Sequence, residues 1–100
     1  MSYQLIFHPE ADREYMEAYQ WYEREQKGLG ARFERMVGLY IQKILEAPEN
    51  NHYGKAPYRE VSIEIFPYVI VYKINKRKKL IFVSAIYHTK RNPKYKYRKL

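Results

Sequence analysis

The sequence contains no cysteine, which excludes disulfides, thiol catalysis and cysteine-ligated zinc. No apolar run approaches the roughly 18 to 20 residues that a membrane helix needs, the longest candidates being Tyr68 to Tyr72 and Leu80 to Val83. The opening Ser2-Tyr3-Gln4-Leu5-Ile6-Phe7-His8-Pro9-Glu10 lacks a basic stretch followed by a long apolar core, so a cytoplasmic location, with no membrane partner, is expected. Glycine is scarce, and none of the four builds a phosphate-cradling loop; a serine nucleophile motif is missing too. His8, His52 and His88 have no i, i+4 histidine pairing and no nearby acid cluster of metal-site spacing, so no metal site and no cofactor is implied. Acids are missing from the last third: all eleven Asp and Glu lie at or before Glu64.

What is present is a chain of 100 residues, 46% hydrophobic and 17% aromatic. That composition supplies a real core for one domain spanning 1–100. The net charge of +8 is unevenly placed. Residues 1–64 carry eight basic and eleven acidic side chains, whereas residues 65–100 carry eleven basic ones and no acid. A concentrated cation of this kind attracts phosphate backbones or an acidic protein partner. The plainer alternative is a solvated face that aids solubility.

Residues 3–8 are β-prone and end at Pro9, which suits the first turn of a helix because its missing N–H is not needed there. From 9 to 27, Ala11, Tyr15, Ala18, Tyr19 and Tyr22 follow helical spacing, with Glu10, Asp12 and Glu14 near the positive end of the helix dipole. Gly28-Leu29-Gly30 breaks the pattern. Between 30 and 47, Phe33, Met36, Val37, Tyr40, Ile41, Ile44 and Leu45 form the cleanest apolar stripe in the chain, stopped by Pro48. These segments predict an antiparallel helical hairpin that needs a sheet to cover. Residues 49–57 read as a polar surface loop. Residues 58–65 alternate, with Val61, Ile63 and Ile65 on one side and Glu60, Ser62 and Glu64 on the other. Residues 68–74 and 80–87 are apolar on both faces and predict central strands joined by the basic loop Asn75 to Lys79. The expected fold is α+β, a β-α-α-β-β-β order with the hairpin on one face of an antiparallel sheet made from 3–8, 58–65, 68–74 and 80–87.

The order of these elements, together with Phe7-His8-Pro9-Glu10-Ala11, Trp21-Tyr22, Gly28-Leu29-Gly30, Arg32-Phe33, Pro48, Arg59, Phe66-Pro67-Tyr68, Tyr72 and His88-Thr89-Lys90-Arg91-Asn92-Pro93, resembles the RelE/ParE superfamily of toxins from bacterial type II toxin-antitoxin modules. The resemblance implies a small basic toxin held inactive by a cognate antitoxin. RelE-like members cut mRNA on the ribosome, and ParE-like members poison DNA gyrase. Arg59 matches the arginine opening the strand after the loop, and His88 and Arg91 match a His-x-x-Arg after the last strand; these matches do not separate the branches. Asn92 stands where ParE-like chains often carry an acid. The long hairpin and the wide Arg59 to His88 interval look ParE-like, so gyrase is the expected target and ribosome-bound mRNA the alternative.

If the chain were a ribonuclease, cleavage through the 2′-hydroxyl would need a base, an acid and cations for the phosphate. The candidates are Arg59, Tyr87, His88 and Arg91. His88 titrates in the useful range, and the two arginines offer bidentate forks. Each has a plainer reading beside it. His88 also fits a strand-end histidine bonded to the fold, and Arg59 fits an ion pair with the hairpin acids. Tyr87, by parity with Ile81, Val83 and Ala85, fits core or a base-stacking platform. Tyr95 and Tyr97, interleaved with Lys94, Lys96, Arg98 and Lys99, fit stacking on exposed bases or a tail without contacts. Trp21 and the helix tyrosines fit packing.

Overall fold

The computed structural model describes residues 2–92, 94 and 96–99. Strand β1 (Gln4–Phe7) leads into helix α1 (Pro9–Glu25) and helix α2 (Leu29–Glu46). A short 3-10 turn, Pro48–Asn50, precedes β2 (Tyr53–Lys55), β3 (Tyr58–Ser62), β4 (Tyr68–Asn75) and β5 (Leu80–His88). The predicted hairpin and the two central strands are present, with ends displaced by a residue or two.

Local chemistry explains the entry to each helix. His8 Nδ1 accepts the Glu10 N–H at 3.0 Å, capping α1 immediately before Pro9. At the link, the Glu23 carboxylate of α1 accepts the N–H groups of Gly28 and Gly30 at 3.0 and 2.9 Å, so α1 itself caps α2. Gly28 has φ 90°, a left-handed conformation suited to glycine. A Cβ at Gly30 would lie 2.9 Å from the Tyr19 carbonyl oxygen, so glycine lets the helices meet closely.

The stripe on α2 buries Phe33, Val37 and Ile44 against Ile70 and Tyr72 of β4 and Ile81, Val83 and Ile86 of β5. Phe33 sits in an aromatic cluster with Tyr22, Phe66 and Tyr68, at centroid separations of 5.2 to 5.3 Å. It is fully buried, and truncating it to alanine costs about 3–5 kcal/mol.

The sheet order is β1-β5-β4-β3-β2, and here the structure corrects three expectations. The sheet is mixed rather than wholly antiparallel, because β1 pairs with β5 in parallel, Leu5 opposite Ile81 and Phe7 opposite Val83. Two helices and three strands separate β1 from β5 in the chain, which gives the long connection that a parallel pairing requires. Within the expected loop 49–57, Tyr53–Lys55 forms an exposed edge strand on β3. The strand expected to reach residue 65 stops at Ser62. Beyond it Ile63 turns inward, Ile65 takes φ 79° with 66% of its surface exposed, and Phe66 folds into the core. Pro67, which cannot donate to a ladder, closes this corner.

A bulge in β4–β5 changes which side chains share a face. Val71 pairs with Ala85 and Tyr72 with Val83, which leaves Ser84 as the extra residue. Ile81 and Val83 therefore face the helices, whereas Ala85 and Tyr87 face the other side with Tyr58, Val69 and Val71. Tyr97 from the tail packs on this second cluster. The parity that grouped Tyr87 with Ile81 and Val83 is thus broken at Ser84. Among the described residues no helix is long and apolar enough to cross a membrane.

Candidate functional site

Arg59 and His88 lie at different places on the sheet. Arg59 pairs with Tyr72, and His88 pairs with Tyr68, on opposite sides of β4. Four residues at about 3.3 Å along the strand, and two strand spacings of about 4.8 Å across it, put their Cα atoms about 16 Å apart.

The Arg59 guanidinium donates to the carbonyls of Glu49 and Asn51 at 3.3 and 2.7 Å and to the Tyr53 hydroxyl at 2.9 Å. It also stacks 4.1 Å from the Tyr53 ring centroid. Its partners are the loop after α2, not the acids of the hairpin. Beside it the Tyr72 hydroxyl donates to the Pro48 carbonyl at 2.6 Å and accepts from Asn51 at 3.0 Å. Burial pushes that phenol's pKa up. Arg59 also borders a cleft of about 630 Å³ with Tyr53, Lys73, Lys76 and Phe82. Lys73 lies over the rings of Tyr58 and Phe82, at 5.2 and 5.5 Å from their centroids.

His88 ends β5 and meets the Tyr68 ring edge-on at 5.0 Å. Its Nδ1 accepts the Lys90 N–H at 3.1 Å, so in the neutral ring the proton sits on Nε2. Burial, reinforced by the Arg91 and Lys90 charges, holds its pKa below the ordinary value. It lines a second cleft, of about 440 Å³, with Trp21, Arg24, Tyr68 and Arg91. His88 and Arg91 are therefore brought together. Tyr87 lies on the opposite sheet face, where its hydroxyl donates to the Arg91 carbonyl and Lys96 Nζ stands 4.9 Å from its ring centroid.

The tail carries contacts that sequence reasoning missed. Glu14 is 6% exposed, and its carboxylate accepts both Arg98 nitrogens, at 3.1 and 2.7 Å, and the Ile86 N–H at 3.0 Å. The fully buried Ser84 hydroxyl donates to the Lys96 carbonyl and accepts the Arg98 N–H, both at 2.6 Å. Glu60 meets Lys96 at 3.2 Å and accepts the Tyr97 hydroxyl. Burial, and next the Glu60 hydrogen bond, push the Tyr97 phenol up to about 12. A signal for Glu14 was available, since it stands three residues after Ala11 and four before Ala18, on the buried stripe. Tyr97 is thus held against the sheet rather than free, and Tyr95 lies outside the described residues.

These contacts change the charge argument. Lys76, Lys96 and Arg98, three of the eleven late cations, meet Glu49, Glu60 and Glu14 of the acidic segment. The cationic segment is partly neutralised within the chain itself. Among the described residues no three His, Asp or Glu are grouped to hold a metal ion.

Comparison with known proteins places this geometry. The family described as the ParE toxin of type II toxin-antitoxin system, parDE, matches residues 5–93. No curated protein matches. Among solved structures, the chromosomal ParDE system from P. aeruginosa has a chain similar to this one, with TM-score 0.74 and 11% identity over 88% of this chain and 97% of that one. A mutant of the E. coli toxin RelE in the free state gives TM-score 0.68 and 20% identity over 90% and 86%. The same RelE mutant in complex with a peptide of the antitoxin RelBc gives TM-score 0.62 and 22% identity over 83% and 79%. At these identities the structures establish a shared fold.

Proposed function

This chain belongs to the ParE toxin family of type II toxin-antitoxin systems, and from that premise we propose that it acts in the cytoplasm by occupying DNA gyrase rather than by cutting ribosome-bound mRNA. One observation carries the choice. The residues that a ribonuclease would draw on do not form one centre: Arg59 is bonded to two loop carbonyls and a phenol, about 16 Å from His88 by strand geometry. Tyr87 stands on the other sheet face, its hydroxyl tied to a backbone carbonyl. A proton shuttle needs acid and base within hydrogen-bond reach of one substrate, and this arrangement favours binding over cleavage.

A cognate antitoxin holds the toxin inactive in this proposal. The exposed β4–β5 loop, with Arg77, Lys78 and Lys79, suits an acidic partner segment, and such binding weakens as salt rises. The deciding experiment pairs a gyrase supercoiling assay with ribosomes carrying mRNA, for the wild type, His88→Ala and Arg59→Ala. The expected result is inhibited supercoiling and intact mRNA. Ribosome-dependent cuts that vanish in either variant, with supercoiling untouched, would overturn the proposal and favour the RelE-like reading.

A further inference from the structure

The cleft between the end of α1 and the end of β5 is built from aromatic walls and cations. Trp21 is 51% exposed, although it is a large apolar side chain on a well-packed helix. It meets Tyr22 edge-on at 5.2 Å, and Tyr68 and His88 form the facing wall. Arg24, from the last turn of α1, and Arg91, from the turn after β5, are both exposed at its rim.

Two acids on the same stretch of α1 are already engaged. Glu14 is held by Arg98, and Glu17, which also lines the cleft, pairs with Arg13 at 3.2 Å. Among the described residues neither Arg24 nor Arg91 forms a salt bridge. Two exposed guanidinium groups that form no salt bridge, beside a half-exposed indole, present bidentate anion recognition next to a stacking surface. The His88 Nε2–H adds a neutral donor in the same cleft. The volume of about 440 Å³ lies in the range of small-ligand sites.

We propose that this cleft binds a nucleotide, with the base stacked on Trp21 and the phosphate held between Arg24 and Arg91. The proposal does not rest on gyrase being the target, and it assigns His88 and Arg91, two of the ribonuclease candidates, a binding role. The ligand is either a free mononucleotide or one nucleotide of a single strand, since both present the same base and phosphate.

Trp21 is the only tryptophan in the chain, so its fluorescence reports occupancy of this cleft directly. Titration of the full chain with AMP, with a single-stranded tetra-adenylate and with inorganic phosphate is read by Trp21 quenching. Quenching by AMP identifies a free nucleotide as sufficient, and quenching by the tetra-adenylate alone identifies a strand; phosphate leaves the emission unchanged. In Arg24→Gln and Arg91→Gln, which keep Trp21 and alter only exposed side chains, affinity falls about tenfold or more. A Lys78→Gln/Lys79→Gln variant, on the distant β4–β5 loop, keeps wild-type affinity. No quenching by either adenylate, or equal weakening by the arginine and the lysine variants, would overturn the proposal.

Discussion

Arg98→Ala asks whether the tail is part of the folded framework. The substitution removes two of the three donors to the Glu14 carboxylate and leaves the Ile86 N–H alone to satisfy it. Glu14 stays buried, so its charge loses its partner without gaining water. Breaking a buried pair from one side costs about 3–5 kcal/mol. Arg98 keeps 15% of its side chain exposed, which places the expectation at the lower end, about 3 kcal/mol. With a urea slope of about 1–3 kcal/mol per molar for small domains, the unfolding midpoint falls by about 1–3 M. Glu14→Gln keeps an acceptor for Ile86 and removes the charge, so it costs less, about 1–3 kcal/mol. The double variant strands no carboxylate and is more stable than the sum of the single effects implies. The reasoning fails if Arg98→Ala unfolds at the wild-type midpoint, or if the two substitutions are additive.

Three further outcomes are expected. Arg59→Ala frees the loop after α2 and lowers stability by about 2 kcal/mol, measured by urea unfolding; an unchanged midpoint would contradict the anchoring role. Ile65→Gly relieves a left-handed β-branched residue that is exposed, and calorimetry should show a gain of about 1 kcal/mol, whereas a loss would mean that Ile65 packs usefully. Tyr97, pushed up to about 12 from its ordinary value of 10.0, stays protonated in the folded chain. Its contribution is complete below the unfolded value and is lost as pH rises through the folded one. Alkaline absorbance titration should show Tyr97 among the late-ionising tyrosines, and Tyr97→Phe should reduce that late phase by one group.

The stripe from Phe33 to Leu45 and the doubly apolar runs after Tyr68 were legible because helix and strand periodicity are local. The bulge at Ser84 was not, since a serine among apolar residues carries no mark of being unpaired until its partner strand is known. The parallel β1–β5 pairing was hidden for a similar reason: Leu5 and Ile81 meet only through the crossover. In the tail, six cations looked free because the acids that hold two of them, Glu14 and Glu60, lie 84 and 36 residues away. His88 and Arg91 stay together through their short spacing, whereas Arg59 is carried elsewhere by the sheet order.

The clasp between Glu14 and Arg98 also bears on the order of events at birth. A chain emerging N-terminus first presents α1 with Glu14 long before Arg98 is made. Until residues 96–98 leave the ribosome, Glu14 lacks its counterion and Ser84 lacks its bonds to Lys96 and Arg98. Tyr58, Val69, Val71 and Tyr87 meanwhile lie on a sheet face that Tyr97 has yet to cover. That sheet face is therefore sealed only once residues 96–98 have emerged, so the nascent chain and the folded domain present different surfaces.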